Sequence, residues 1–394
     1  MLNKKTIAVT DEDKVNLPLP VSLERDSLII GNFSLNLQRT LRVPDDGKGY
    51  VLPIGLGPFP MRPVSELPHA PNEVKERGGF ILPMYQCEAA WLNFQTVDDM
   101  PVAVKVLYGG VNALTGKADH GTELVLEPQN YMVVPGQPWL DGVKVAENTV
   151  RQIVAAALGG GVTIEAQVTG EEKYGGIQII VIPMTAKALR KYIASRPLNR
   201  DLWDDTLGEP MGLMFLSASV HMPVIRRVGA SMGVAAGGKI DQKIYDAEIP
   251  PEDFNQNRAT RVWIHVANSL AWREITGEEA PATPVTQEEY KRHNMPWFKL
   301  YDEGRDDIGA TEEAGRLKSM QELQAEKGIP ITDEWGNTAK LPDKDAVDAA
   351  AKLEEHPEDT GQSGSKIASM PPGKKIVVPE EPNTWFDDGQ KDKK

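Results

Sequence analysis

The chain has 394 residues, of which 40% are hydrophobic, 25% charged and 6% aromatic, and its formal net charge is −14. This length predicts two or three domains, or one large β domain with appendages, in a soluble protein with enough apolar residues for a large core. The excess of 57 carboxylates over 43 Lys and Arg argues against nucleic acid as a partner, because phosphate binding needs a basic surface.

Other features disfavour further function classes. The sequence has no run of about 18 apolar residues, so we expect no transmembrane helix and no membrane partner. The first residues lack the apolar segment of a signal peptide and Cys87 is the single cysteine, which together predict a reducing, cytoplasmic location. The six histidines lack the spacing of a metal site, so we expect neither a metal nor a cofactor.

Short apolar segments between Gly and Pro residues predict many β-strands joined by turns. Alternating apolar residues predict a strand from Phe33 to Leu37, and Pro44 to Gly47 predicts a turn. The Pro/Gly-rich segment from Tyr50 to Pro63 predicts a loop that nevertheless packs on the core. The next predicted strands are Val102–Val106, Glu123–Leu126, Tyr131–Val134, Thr149–Val154 and Ile177–Ile182.

The middle of the chain contains the first predicted long helix. Val162 to Val168 alternates and predicts a strand that pairs with Ile177–Ile182, with a one-turn helix as the alternative. Met184 to Ser195 predicts a helix with Thr185 as its N-cap. The segments that follow are a predicted connector at Leu198–Met211 and predicted strands at Gly212–Val220 and Arg261–Ala267.

The last quarter of the chain predicts helices and then disorder. Glu312 to Lys327 predicts one helix, with Thr311 as its N-cap and Gly328 at its end. Asp343 to Glu355 predicts a shorter helix, and the Gly-, Ser- and Pro-rich sequence after it predicts a disordered tail.

Together these elements predict a mainly β fold, either a large antiparallel β-sandwich or two β subdomains, with a helical C-terminal extension and a disordered tail. The predicted divisions are an N-terminal extension (1–27), a β-sandwich subdomain (28–183), a helix and connector (184–211), a second β subdomain (212–303), a helical extension (304–356) and the tail (357–394).

Parts of the sequence resemble each other. A Thr-Gly pair precedes a Pro-Trp pair by about twenty residues twice, before Trp139 and before Trp297, and a glutamine recurs in similar strands at Gln152 and Gln242. A duplicated β unit would explain this pattern, and chance similarity is the alternative.

Several longer stretches are distinctive. They are RTLRVPDDGKGYVLPIGLGPFP (39–60), PGQPWLDG (135–142), VTGEEKYGGIQI (168–179), NSLAWREITGE (268–278) and MPWFKLYDE (295–303). In these stretches the chain resembles a family of uncharacterised soluble bacterial proteins that extends to fungi. The resemblance implies a soluble, standalone globular protein, and it implies no reaction, cofactor or catalytic residue.

The most specific catalytic motif is G-x-S-x-G around Ser231. In hydrolases this motif places a nucleophilic serine on a strand-to-helix turn. His265 and Asp241 would complete a catalytic triad with Ser231 in the required chain order. The flanking sequence argues against this, because two arginines precede the motif and the paired glycines Gly237 and Gly238 disfavour a following helix. A flexible glycine-rich connection is the favoured interpretation.

The same stretch also approaches a phosphate-binding loop, from Gly233 to Lys239, but Ile240 stands where that loop needs a hydroxyl side chain. A nucleotide site is therefore disfavoured.

Tryptophan side chains in loops are candidate binding groups. Trp139, with Asp141 close by, and Trp297 could stack on a sugar or anchor a partner, but both are better explained as apolar plugs at the end of a sandwich. Trp385 and Phe386 lie among acidic residues of the tail and are candidates for a short docking motif.

The absence of an intact catalytic motif favours a cytoplasmic, non-enzymatic protein that binds a protein partner or assembles with itself. A serine hydrolase using Ser231 and a carbohydrate-binding β-sandwich using Trp139 or Trp297 are the alternatives.

Overall fold

The computed structural model describes residues 17–195, 231–281 and 307–328 and two short segments near the C-terminus. The strands are β1 (Val21–Glu24), β2 (Ser27–Ile30), β3 (Phe33–Thr40), β4 (Gly49–Tyr50), β5 (Arg62–Pro63), β6 (Phe80–Met84), β7 (Ala89–Thr96), β8 (Val102–Tyr108), β9 (Val111–Asn112), β10 (Met132–Val134), β11 (Trp139–Leu140), β12 (Gly142–Ala146), β13 (Thr149–Ala157), β14 (Ile177–Pro183), β15 (Ser231–Asp241), β16 (Thr260–Asn268), β17 (Lys366–Ser369) and β18 (Lys375–Val378). The helices are α1 (Asn72–Arg77), α2 (Ile164–Thr169), α3 (Ala186–Ser195), α4 (Trp272–Thr276), α5 (Glu312–Gly315) and α6 (Met320–Lys327), and short 3-10 helices lie at Val64–Glu66, Val97–Asp99, Pro251–Asp253, Gln256–Arg258 and Ser269–Ala271.

Sixteen strands belong to one sheet, whose main path is β1-β2-β3-β7-β13-β15-β16-β14-β8-β10. The pairing is antiparallel except where β4 joins β15 and β6 joins β16. The predicted mainly β fold is confirmed. Among the described residues, no helix is long and apolar enough to cross a membrane.

The sheet folds over, so that its two halves share one core. β15 pairs with β16 only through Ser231–Ala267 and Met232–Val266 before it runs along β13, while β14 pairs with the preceding positions of β16. Apolar residues of both halves belong to a single buried cluster. In the described residues, the ranges predicted as two β subdomains therefore do not have separate cores.

The strand patterns explain why these segments form a sheet. In β3 the apolar residues Phe33, Leu35 and Leu37 are buried and alternate with half-buried polar residues, which is the period-two pattern of a strand with one face on the core. β14, which is apolar except for Gln178, is buried on both faces. The Pro/Gly segment before β5 is packed as expected, since Phe59 and Met61 are buried.

Two predictions about helices and strands are wrong. The alternating segment Val162–Val168 is mostly helix α2, which was the alternative to the predicted strand, because the Thr163 hydroxyl accepts a hydrogen bond from the Ala166 N–H and caps the helix. Glu123–Leu126 forms no strand, because its backbone pairs with the side chain of Asn130 instead of a neighbouring strand.

The C-terminal helix has the predicted ends but not the predicted continuity. Thr311 caps its start and Gly328 ends it in the left-handed conformation, as expected. It is nevertheless two helices, because Ser319 forms a capping box with Glu322 and begins α6 as a new helix.

The glycine-rich segment after residue 230 is a strand and not a flexible connection. β15 is eleven residues long, is almost entirely buried, and lies between β13 and β16. A Cβ atom on Gly238 would lie 2.2 Å from the Pro44 carbonyl oxygen, so glycine is required for this close approach. The glycines of the motif therefore have a packing role.

Several predicted segments lie outside the described residues. They are the connector Leu198–Met211, the strand Gly212–Val220, the helix Asp343–Glu355 and most of the tail. Within the range predicted as a disordered tail, the structure describes β17 and β18, which pair as an antiparallel hairpin.

Candidate functional site

A pocket of about 240 Å³ opens where β14 and β15 follow one another along β16. The two strands diverge at this point, which leaves a crevice between the start of each strand and helix α1. Its apolar wall includes Val74, Met232 and Val266, which are buried. Its polar groups are Glu73, Arg77, Glu172, Lys173, Tyr174, Ser231 and His265.

The loop on one side of the pocket is held by a buried carboxylate. Glu165 of α2 is 2% exposed and accepts hydrogen bonds from the backbone N–H groups of Lys173, Tyr174 and Gly175, at 3.0, 2.8 and 2.8 Å. Three donors to one carboxylate fix the backbone of the loop. The side chains of Glu172, Lys173 and Tyr174 therefore line the pocket from a fixed position.

Arg77 joins helix α1 to the same loop. Its guanidinium donates to the carbonyl oxygens of Tyr174 and Lys173 at 2.9 and 2.7 Å, and it lies 5.5 Å from the ring centroids of both Tyr174 and Trp263. Among the described residues, no carboxylate pairs with Arg77. In the part of the chain that the structure describes, its positive charge is thus held between two aromatic rings without a counter-ion.

His265 lies in the buried part of the pocket, with 5% of its surface exposed. Its Nε2 is 2.9 Å from the Gly78 carbonyl oxygen, which only accepts, so Nε2 donates a proton to it. Burial lowers the pKa of His265, and the positive charge of Arg77 lowers it further, against the opposing effect of this hydrogen bond. A neutral imidazole protonated on Nε2 leaves Nδ1 as its hydrogen-bond acceptor.

Gly78 makes the hydrogen bond to His265 possible. It ends helix α1 with φ of +65° and ψ of −152°, a conformation that side-chain-bearing residues rarely adopt. This sharp exit from the helix allows its carbonyl oxygen to reach the imidazole.

Two of the three predicted triad residues meet in this pocket, and the third does not. Ser231 pairs with Ala267, two residues from His265 on the same face of β16, which places the two side chains diagonally at roughly 7–8 Å between backbones. Asp241 lies at the opposite end of β15, roughly 30 Å along the strand. The Ser231–His265–Asp241 triad is therefore not assembled.

Ser231 also lacks the surroundings of an activated nucleophile. It is followed by a strand, whereas the hydrolase motif requires a helix there. Among the described contacts, no hydrogen bond joins Ser231 to His265. Glycine at 233 is explained by packing, because a Cβ atom there would lie 2.7 Å from the Cγ2 atom of Thr163. The near phosphate-loop sequence, Gly233 to Lys239, is part of the same strand.

The candidate binding residues Trp139 and Asp141 are buried, which fits the favoured interpretation of Trp139 as an apolar plug and not the alternative of a ligand-stacking side chain. They are 5% and 1% exposed, and Trp139 Nε1 donates to Asp141 Oδ2 at 3.2 Å. A ring so deeply buried cannot stack on a sugar, so Trp139 is a core residue. Trp297, Trp385 and Phe386 lie outside the described residues.

The prediction from sequence missed Arg77, Glu165 and Tyr174. The signal that was present is the segment VTGEEKYGGIQI, whose paired glycines and clustered charges form the loop beside the pocket. Arg77 has no such signal, since it is one of several charged residues on a short helix.

Comparison of the chain with protein-family models, with curated proteins and with solved structures finds no match. Within the described residues, no group of three or more His, Cys, Asp or Glu side chains is arranged to hold a metal ion. The family resemblance therefore stays a prediction, and the function rests on the geometry of the pocket.

Proposed function

We propose that this protein binds a small polar molecule in the pocket beside β16. The observation that carries the proposal is the convergence of cationic, anionic, imidazole and hydroxyl side chains around a buried apolar wall. Small-molecule sites in proteins typically combine an apolar concave surface with a few converging polar groups. The residues in contact with the ligand would include Arg77, His265 and Ser231.

Binding fits this geometry better than serine hydrolysis does. A nucleophilic serine needs a base within about 2.6–3.2 Å, and no such contact joins Ser231 to His265 among the described residues. The fixed loop and the neutral imidazole instead support a preformed site that orients a ligand through hydrogen bonds.

The proposal narrows the broader expectation of a non-enzymatic binding protein. A protein partner or self-association has less support, because the large exposed apolar residues of the described chain are scattered along it: Leu17 and Val21 lie at β1, and Val97, Leu126 and Ile193 lie on separate segments. A cytoplasmic location also stays a prediction.

A fragment screen by ligand-observed NMR tests the proposal, using small acids, amines, zwitterions and neutral polar compounds. Ser231→Phe should fill the pocket, and Ser22→Phe, on the exposed edge strand β1, is the matched control. We expect compounds that bind the natural protein and the Ser22 variant but not the Ser231 variant.

The proposal is overturned if no compound binds at millimolar concentration, or if every compound binds the Ser231→Phe protein equally well. A melting curve checks that this variant is folded. Leu158→Trp, at a half-buried position on the pocket wall, is a second filling variant if it is not.

A further inference from the structure

Helix α1 brings two opposite charges to the pocket, and among the described residues these charges do not pair with each other. Glu73 and Arg77 are one helical turn apart and both line the pocket. Opposite charges at this spacing, with about 5–6 Å between Cβ atoms, normally pair with each other. Among the described residues, however, Arg77 turns to the loop carbonyls and no hydrogen bond or ion pair engages Glu73.

Both charges are therefore available to a ligand. Two N–H groups of Arg77 are used by the loop, which leaves three of the five donors of its guanidinium. The planar guanidinium favours a carboxylate, and the Glu73 carboxylate favours an ammonium group.

A second pair of charges lies on the loop that Arg77 contacts. The Lys173 ammonium group lies 5.2 Å from the centroid of the Tyr174 ring, and Glu172 accepts hydrogen bonds from Thr163 Oγ1 and from the Gly159 N–H. Helix α1 and this loop thus each contribute one cation and one anion to the pocket lining. Because His265 is held neutral, it adds no charge that would repel either end of a ligand.

The volume of the pocket and its apolar wall limit the size and the polarity of the rest of the ligand. A volume of about 240 Å³ is below the range of about 300–1,000 Å³ that is typical for drug-sized ligands. Val74, Met232 and Val266 offer an apolar surface for one short side chain.

We propose that the ligand is a small zwitterion of the α-amino-acid type with an apolar side chain. Its carboxylate would contact Arg77, its ammonium group would contact Glu73, and its side chain would contact Val74, Met232 and Val266. This inference rests on the proposed small-molecule function and names the class of molecule that the same pocket takes.

Isothermal titration calorimetry with defined probes tests the inference. The probes are L-leucine, L-valine, L-methionine and L-phenylalanine, together with the methyl ester of each, which lacks the carboxylate, and the N-acetyl form, which lacks the ammonium group. We expect at least one free amino acid to bind, and both of its derivatives to bind at least tenfold more weakly.

Variants assign each end of the ligand. Glu73→Gln, on an exposed position, should weaken the free amino acid about tenfold and leave its N-acetyl form unchanged. Arg77→Gln should weaken the free amino acid and leave its methyl ester unchanged. Arg316→Gln, at the C-cap of α5, is the control and should bind as the natural protein does, since the Arg316 guanidinium pairs with Glu312.

The outcomes separate this inference from the proposed function. If compounds of the fragment screen bind in the pocket but free amino acids do not, or bind no better than their esters and N-acetyl forms, the inference is wrong and the pocket still binds a small molecule. If Glu73→Gln has no effect on a free amino acid that binds, the assignment of the ammonium group is wrong. If no fragment binds at all, the proposed function fails.

Discussion

Asp141 is a carboxylic acid in the core of the protein. Its Oδ2 accepts a hydrogen bond from Trp139, and its buried Oδ1 has no hydrogen-bond partner among the described residues. Burial raises the pKa of Asp141 to about 8, although the hydrogen bond from Trp139 acts in the opposite direction. The folded protein therefore keeps a proton on Asp141 at pH values where the unfolded chain, with a pKa near 3.8, has lost it.

The sign of the pH dependence follows from this difference. Between about pH 4 and pH 8 the folded state binds one more proton, so the free energy of unfolding falls as the pH rises, by at most about 1.4 kcal/mol per pH unit. Asp141→Asn cannot ionise, so its stability relative to the natural protein should increase from pH 5 to pH 8. Urea unfolding at several pH values measures this difference.

The exposed Asp98→Asn is the matched Asp-to-Asn control for Asp141. A pH-independent difference between the Asp141→Asn protein and the natural one would show that Asp141 is already ionised in the folded state.

The reactivity of Ser231 tests the alternative prediction of a serine hydrolase. Because Ser231 begins a strand and makes no hydrogen bond to His265 among the described residues, we expect a fluorophosphonate probe to leave it unlabelled. Mass spectrometry of the treated protein gives the result, with a known serine hydrolase as the positive control. Labelling that disappears in Ser231→Ala would restore the hydrolase hypothesis.

At the scale of secondary-structure elements, glutamine side-chain amides hydrogen-bond to backbone groups in the way that a neighbouring strand would. Gln152 donates to the Leu41 carbonyl oxygen and accepts from the Val43 N–H, at 2.8 and 3.0 Å. Gln242 binds the Trp139 carbonyl oxygen and the Asp141 N–H in the same way, at 3.2 and 2.9 Å. Each amide thus pairs with residues i and i+2 of a neighbouring segment, as a strand would.

Two further glutamines, Gln137 and Gln129, make the same kind of paired hydrogen bonds to the backbone. Gln137 binds the backbone of residues 243 and 245, and Gln129 binds that of residues 245 and 247. The two glutamines that recur in the sequence therefore share a physical role, but this role is not confined to the similar strands. A duplicated β unit stays a prediction.

Replacing such an amide should destabilise the protein. Gln152→Met removes the hydrogen bonds of the Gln152 side chain to the Val43 N–H and the Leu41 carbonyl oxygen, and the buried Val43 N–H left without its acceptor costs roughly 1–3 kcal/mol. We expect a loss of about 2 kcal/mol or more in the free energy of unfolding, measured by urea denaturation. Gln95→Met, on an exposed position of β7, should be close to neutral, and equal effects of the two variants would contradict the prediction.

On the scale of the whole molecule, a buried ion pair attaches the segment 307–328 to the sheet. Asp307 contacts Lys144 Nζ at 2.5 Å and also accepts from the Asn148 and Ile244 N–H groups, at 2.5 and 2.7 Å. The Lys144 side chain is 0% exposed. Asp307 therefore satisfies a buried cation and two backbone donors from two parts of the sheet.

The two partners should respond differently to substitution. Asp307→Asn leaves the Lys144 ammonium group buried without a counter-charge and should cost about 3–5 kcal/mol. Lys144→Met should cost less, because Asp307 keeps its two backbone donors. Urea unfolding measures the two costs, and limited proteolysis within residues 307–328 should be faster for Asp307→Asn. A larger cost for Lys144→Met would contradict this interpretation.

The sequence by itself determined the class of fold and many of its local boundaries. Alternating apolar residues and turn residues predict strands because side chains alternate between the faces of a strand. Thr311 and Gly328 were recognisable as the ends of a helical segment because capping depends on only a few neighbouring residues. These are local effects, and the chain carries them in short windows.

Tertiary structure decided the central strand, the interior tryptophan and the pocket. In the sequence alone the glycines of β15 favour a flexible connection. Only the fold places the distant Pro44 carbonyl oxygen against Gly238. Trp139 stands in a Pro- and Gly-rich stretch of the sequence, and only the fold buries its ring in the core. The pocket combines residues near positions 75, 173, 231 and 265, and no local pattern links those segments. Only the divergence of β14 and β15 along β16 brings their charges together.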